Sequence, residues 1–194
     1  MYIDPHVYSG RPEDQEGRIP AELACYDMLD RLGIPYTRVD HEAADTIAAC
    51  KEVEQYLGIH ICKNLFLCNR QKTKFYLLLM EGDKPFHTKD LSAQIGSSRL
   101  SFAPPEAMEA LLGVTPGSAS ILGLIHDTRR QVQLILDRSV YRMDRFGCHP
   151  CINTSSIALS TADVRDKLLP ALQVEPLLVD LPDDRDVERS FPDQ

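Results

Sequence analysis

Apolar residues recur at helical spacing at Ile19, Leu23, Tyr26 and Leu29, which predicts a first helix. Gly33 offers its stop, and Pro35 opens an extended Tyr-Thr-Arg-Val segment at 36–39. A second helix is expected from Asp45 or Thr46 to Leu57, with Gly58 at its end. Two apolar runs, 61–67 and 74–80, flank a polar Arg-Gln-Lys-Thr turn at 70–73 and predict a β-hairpin. The second run is almost wholly apolar, as in a strand buried on both faces. A short helix is expected near Asp90, followed by Leu-Ser-Phe at 100–102. Pro104 and Pro105 then open a helix whose apolar stripe is Met108, Leu111 and Leu112, closed by Gly113. The loop 113–120 leads into Ile-Leu-Gly-Leu-Ile at 121–125, and 131–136 alternates as a strand does. After a loop at 149–154, residues 156–159 read as a strand. Ser160 or Thr161 caps a last helix that Pro170 ends or kinks, and 177–179 reads as a final strand. Hairpins mixed with irregular helical insertions imply α+β, with a curled, mixed, mostly antiparallel sheet or partial barrel and flanking helices, not a doubly wound parallel sheet.

Charge divides the chain further. Residues 1–17 carry four acids and one base, and 180–194 carry six acids and two bases. The net charge of −8 therefore lies almost entirely in a polar N-terminal arm (1–17), expected to be loose, and an acidic C-terminal tail (180–194). The intervening domain, 18–179, is nearly neutral. Such a surface can grip a short RNA end but is not built to coat a duplex. No apolar run approaches the ~20 residues of a membrane span, and the N-terminus lacks the pattern of a secretory signal, so a cytoplasmic location is expected. Six cysteines in so apolar a chain are expected to be small buried hydrophobes. Cys148-x-x-Cys151 has no second pair, and Pro150 follows where a redox motif would open a helix; neither metal nor cofactor is expected.

Three segments occur in a telling order: Lys-Asn-Leu-Phe-Leu (63–67) on a strand, Gly-Val-Thr-Pro-Gly-Ser-Ala-Ser (113–120) in a loop, and His-Pro-x-x-Asn-Thr (149–154). Together with Phe-His-Thr-Lys-Asp-Leu-Ser (86–92) and Ser-Arg-Leu-Ser-Phe-Ala (98–103), they resemble the YbaK-type aminoacyl-tRNA deacylases. Within these the chain is most similar to the free-standing prolyl-tRNA editing proteins that act on Ala-tRNA-Pro, over roughly residues 20–172. The resemblance implies the YbaK/prolyl-tRNA synthetase-associated domain fold. It also implies hydrolysis of mischarged tRNA-Pro in trans, alanine first, with cysteine or serine as alternatives. The implied partners are the acceptor end of the charged tRNA and, secondarily, prolyl-tRNA synthetase. Three features depart from the family pattern: Ile121 and Leu122 where a proline is usual, His126 where asparagine is commoner, and Cys151 inside the His-Pro loop.

An aminoacyl ester is already activated, so its hydrolysis needs an oriented water and a stabilised oxyanion. No Gly-x-Ser-x-Gly elbow is present, and the resemblance implies a mechanism without a protein nucleophile. Lys63 interrupts an apolar strand, where a cation is costly unless it serves a ligand or turns outward to water. As a functional group it would hold the terminal phosphate or polarise the ester carbonyl. His149 would hydrogen-bond the ribose or the water, or it is structural. These two are the candidate catalytic residues. Asn64, Gly113, Thr115, Pro116, Gly117, Ser118, Asn153 and Thr154 are candidate substrate-binding residues, although Pro116-Gly117 alone also reads as an ordinary turn. Arg99, Arg129, Arg130, Arg142 and Arg145 are candidates for phosphate contact. A binding module without hydrolysis, or an esterase indifferent to RNA, remains an alternative of a different class.

Overall fold

The computed structural model describes residues 1–184, so most of the expected acidic tail lies outside the described residues. Two sheets form its frame. The first has the order β1 (Tyr8–Ser9), β2 (Thr37–Asp40), β8 (Ser155–Ser160), β7 (Arg145–Cys148), all antiparallel. The second has the order β5 (Ser101–Phe102), β3 (Cys62–Cys68), β4 (Phe75–Glu81), β6 (Val132–Asp137), β9 (Leu177–Val179). Its β5-β3-β4 part is antiparallel, and β6 and β9 join in parallel. The sheets meet where Ile61 pairs with Gly147, whose N–H donates to the His60 carbonyl at 2.8 Å. A Cβ on Gly147 would fall 2.4 Å from Ile59 Cδ1 and 2.9 Å from Ile61 Cγ1, so glycine is what lets the two sheets close on each other. The result is the expected α+β fold, curled but not closed into a barrel.

The helices form where caps and periodicity place them. α1 (Pro20–Arg31) starts on a proline and buries Cys25, Tyr26 and Leu29. α2 (Ile47–Leu57) is capped by Thr46, whose hydroxyl accepts from the Ala49 N–H, and ends on left-handed Gly58. α3 (Thr88–Ile95) and α4 (Pro105–Leu112) likewise end on left-handed Gly96 and Gly113. β3 divides the interior by its period of two. Cys62, Phe66 and Cys68 face the main core with α1 and residues of β7 and β8. Leu65 and Leu67 face a second core closed by Leu91 of α3 and by Leu181. β4 is buried on both faces, as its composition implies.

One local reading needs correction, and two segments take a form that the pattern left open. The polar N-terminal arm is tied down rather than loose: β1 pairs with β2, Ile3 bridges His41, and the Tyr8 ring lies 4.5 Å from the guanidinium of buried Arg38. Residues Ile121–Ile125 form a short 3-10 helix, started by the Ser120 hydroxyl accepting from the Leu122 N–H. The last helix passes through Pro170 by widening into a π turn at Val164–Leu168 before continuing over Leu169–Leu172, so the proline does not end it. No described helix is long and apolar enough to cross a membrane.

Candidate active site

One edge of β3 is bonded along its length to β4; the other is covered only in part. β5 reaches Leu67 and Cys68, with the Ala103 N–H donating to the Phe66 carbonyl at 2.9 Å, and the Gly147 segment reaches Ile61. Between them the strand edge lies open at Asn64. Its side chain doubles back to donate from Nδ2 to the Cys62 carbonyl at 3.2 Å, and its Oδ1 is buried without a partner. An unsatisfied buried oxygen at an open strand edge is where a ligand donor is worth most.

A cavity of about 430 Å³ opens at this gap. Cys62, Phe66, Ala103, Met108 and Ala119 give it an apolar floor; Lys63, Asn64, Asp45, Thr46 and His149 supply polar groups around it. Lys63 and Asn64 point to opposite faces of β3, yet both border the cavity because it straddles the open edge. The rim carries Lys51 and Asp83, which pair with each other at 3.0 Å.

His149 is buried, and its orientation can be worked out from its partners. Nδ1 lies 2.9 Å from the Ser155 carbonyl, which only accepts, so Nδ1 carries the proton. His41 repeats the logic: its Nδ1 donates to the Glu42 carbonyl at 2.7 Å, leaving Nε2 to accept from the Ser156 hydroxyl at 2.8 Å. With its proton committed to His41, Ser156 Oγ turns a lone pair toward His149 Nδ1 at 3.3 Å. Nδ1 of His149 is thus held from two sides, and Nε2 is left as a bare acceptor for the cavity that His149 lines. Burial keeps this ring neutral, pushing His149 down to about 4.

The 113–120 loop closes the cavity at Pro116, Gly117 and Ala119. Gly117 has φ +88°, and a Cβ there would stand 3.3 Å from Asp45 Oδ1 and 3.4 Å from Asn153 Nδ2. Asn153 donates to Asp45 Oδ1 at 2.5 Å, tying the His-Pro loop to the start of α2 beside that glycine. Of the residues singled out from sequence, Lys63, Asn64, Pro116, Gly117 and His149 therefore line the cavity, and Asn153 braces it. Gly113, Thr115, Ser118 and Thr154 do not line it. Gly113 caps α4, Thr115 and Ser118 form the turn (Ser118 N–H to Thr115 carbonyl, 3.0 Å), and the Thr154 carbonyl accepts from the His41 N–H at 2.9 Å. None of the five candidate arginines lines the cavity. Asp45, His41, Ser156 and Phe102 were not singled out. Asp45 reads as a helix start, and His41 and Ser156 are brought together across 115 positions.

Two of the departures from the family pattern meet behind the loop. The Cys25 thiol donates to Cys151 Sγ at 3.4 Å, and His126 also contacts Cys151. Those two neighbours lower the Cys151 thiol, while the same pairing raises Cys25. The His126 ring packs against Gly113, where a Cβ would approach to 3.0 Å. None of Ile121, Leu122, His126 and Cys151 borders the cavity. Among the described residues, no three His, Cys, Asp or Glu side chains are placed to share a metal ion.

Comparison with known proteins agrees with this architecture. Residues 41–167 match the pattern of the aminoacyl-tRNA editing domain. The chain is 30% identical over 144 residues to the prolyl-tRNA editing protein ProX of Acetoanaerobium sticklandii, covering 74% of this chain and 88% of that one. It is 32% identical over 140 residues to the mouse prolyl-tRNA synthetase associated domain-containing protein 1, covering 70% and 82%. In three dimensions it is similar to a solved candidate trans-editing enzyme for prolyl tRNA synthetase, at a TM-score of 0.64 and 19% identity, covering 85% of this chain and 98% of that one. The chain belongs to the aminoacyl-tRNA editing domain family.

Proposed function

We propose that this protein removes a wrongly attached amino acid, alanine in the first instance, from tRNA-Pro by hydrolysing its ester. The observation that carries the reading is the gap in the β3 edge, where Lys63, the unpartnered Asn64 Oδ1 and the His149 acceptor converge on one cavity. The ester carbonyl placed at the gap meets the Lys63 ammonium, which stabilises the charge that develops as water attacks. Asn64 Oδ1 and His149 Nε2 accept from the donors a charged ribose brings, the neighbouring hydroxyl and the attacking water, and so orient them. No side chain becomes covalently attached. The apolar floor suits a methyl side chain and offers no partner for a serine hydroxyl, which favours alanine. The names of the relatives support products of prolyl-tRNA synthetase as substrate. A panel of mischarged tRNAs tests the reading: Ala-tRNA-Pro is expected to be hydrolysed, Pro-tRNA-Pro spared, and Ser-tRNA-Pro slower than the alanyl ester. Binding without turnover would replace the enzyme by a binding module.

Two further outcomes follow from the site. Few cations border it, so binding should depend weakly on salt, with a slope of log affinity against log salt of about −1 to −4, and a minihelix should replace the full tRNA with modest loss. A much steeper slope in filter binding between roughly 50 and 200 mM salt would mean a larger contact surface. Three cysteines are sealed off from the cavity: Cys25, Cys148 and Cys151 are 0%, 0% and 2% exposed and do not line it. Thiols without access are poor nucleophiles. Replacing both Cys25 and Cys151 by alanine should leave the hydrolysis rate within several-fold of the parent, and chelators should not change it. Loss of activity on chelation, restored by zinc, would contradict this.

A further inference from the structure

A second hollow, of about 550 Å³, lies on the outer face of the same strand edge. Lys63, Leu65 and Phe102 border both it and the inner cavity; Phe86, His87 and Lys89 complete its walls. Register explains the arrangement. Phe102 of β5 stands opposite Leu67, so its ring shares the outer face with Leu65 and Lys63, one after another along β3. The second core beneath is already closed by Leu65, Leu67 and Phe86. Phe102 belongs to none of the three apolar cores, and at 64% exposure no described large apolar side chain is more open to water. Lys63 and Lys89 border this hollow, and His87 beside them lies 3.0 Å from the Asp184 carboxylate.

We infer that the outer hollow seats the terminal nucleobase of the RNA 3′ end, stacked on Phe102, with Lys89 at the 5′ phosphate of that nucleotide. The inference rests on the proposed function, because an ester held at the Asn64 gap fixes which way the nucleotide runs. With the amino acid in the inner cavity, the ribose sits at the strand edge, and its base and phosphate pass over the edge to the hollow that shares its border. Stacking on an exposed ring is indifferent to base identity, which suits an end common to all tRNAs and leaves amino-acid selection to the inner cavity.

The test begins with binding, which needs no turnover. An uncharged oligoribonucleotide ending in 2-aminopurine is titrated with the parent, Phe102→Ala and Phe102→Trp proteins, with thermal melts in parallel. The parent should quench the fluorophore saturably. Phe102→Ala should abolish the quench and weaken binding about tenfold or more, and Phe102→Trp should keep both. Lys89→Ala should flatten the salt dependence of binding by about one unit of slope. With an alanyl minihelix, Phe102→Ala should lower kcat/KM by a similar factor, mainly through KM. A folded Phe102→Ala protein that binds and quenches like the parent overturns the inference even if the parent hydrolyses Ala-tRNA-Pro. A parent that quenches through Phe102 but hydrolyses no mischarged tRNA keeps the nucleobase site and overturns the proposed reaction instead.

Discussion

Lys63→Ala is expected to slow single-turnover hydrolysis of Ala-tRNA-Pro by about 10²–10³-fold, the usual scale for losing one electrostatic contact to a developing oxyanion. The side chain is half-buried on β3, opposite Met80 of β4, and borders both hollows. Folding should survive, because the substitution shortens a polar side chain at an open edge and creates no large cavity in the core. Lys63→Arg should recover only part of the rate, since a planar guanidinium does not replace a compact point charge in a confined space. Thermal melts identify any loss that is merely structural. A folded Lys63→Ala protein turning over at the parental rate would move the oxyanion contact to the 113–120 loop.

His149→Asn is expected to cost about 10²-fold in the same assay, by removing the acceptor that the Ser155 carbonyl and Ser156 hydroxyl hold in place. Its pH behaviour is set by burial. Desolvation pushes His149 down to about 4 and also lowers His41, below the ~6.5 of an unfolded histidine. Both groups therefore contribute stability in full above about pH 6.5, and that contribution is lost as pH falls toward 4. For His149 the loss amounts to roughly 3 kcal/mol. Denaturant midpoints should fall over this window in the parent and fall less in His149→Asn. The rate, by contrast, should show no acidic limb near pH 6.5, since the ring is already neutral there. Such a limb, present in the parent and absent in His149→Asn, would mean that His149 works as a proton donor or base with an ordinary pKa.

Much of the fold was legible because it is written locally. Thr46, Gly58 and Gly113 mark helix ends by capping chemistry alone, and the hairpin of β3 and β4 follows from two apolar runs around a polar turn. What escaped depends on contacts distant in sequence. β7 is four residues with an exposed arginine at its start, and it is a strand through its pairing with β8, while Gly147 admits Ile61 against its other edge. The N-terminal arm is polar, yet it is ordered by Arg38, a buried cation whose partners Asp40 and Tyr8 cannot be guessed from spacing. At the site, Lys63, Asn64, Gly117 and His149 could be singled out, since each breaks its local pattern or sits in a recognisable segment. Alternation sends Asn64 to the face of β3 opposite Lys63. The open edge between β5 and the Gly147 segment lets both reach one cavity. His126 and Cys151, separate departures from the family pattern in sequence, touch each other, and neither borders the cavity.

The central claim is tested most directly by measuring alanine release from purified Ala-tRNA-Pro, with Pro-tRNA-Pro and Ala-tRNA-Ala alongside. Rapid release from Ala-tRNA-Pro, loss of that release in Lys63→Ala, and little release from Pro-tRNA-Pro are the predicted result. A parent protein that binds all three and hydrolyses none, or that cleaves simple alanyl esters as fast as the charged tRNA, would contradict it.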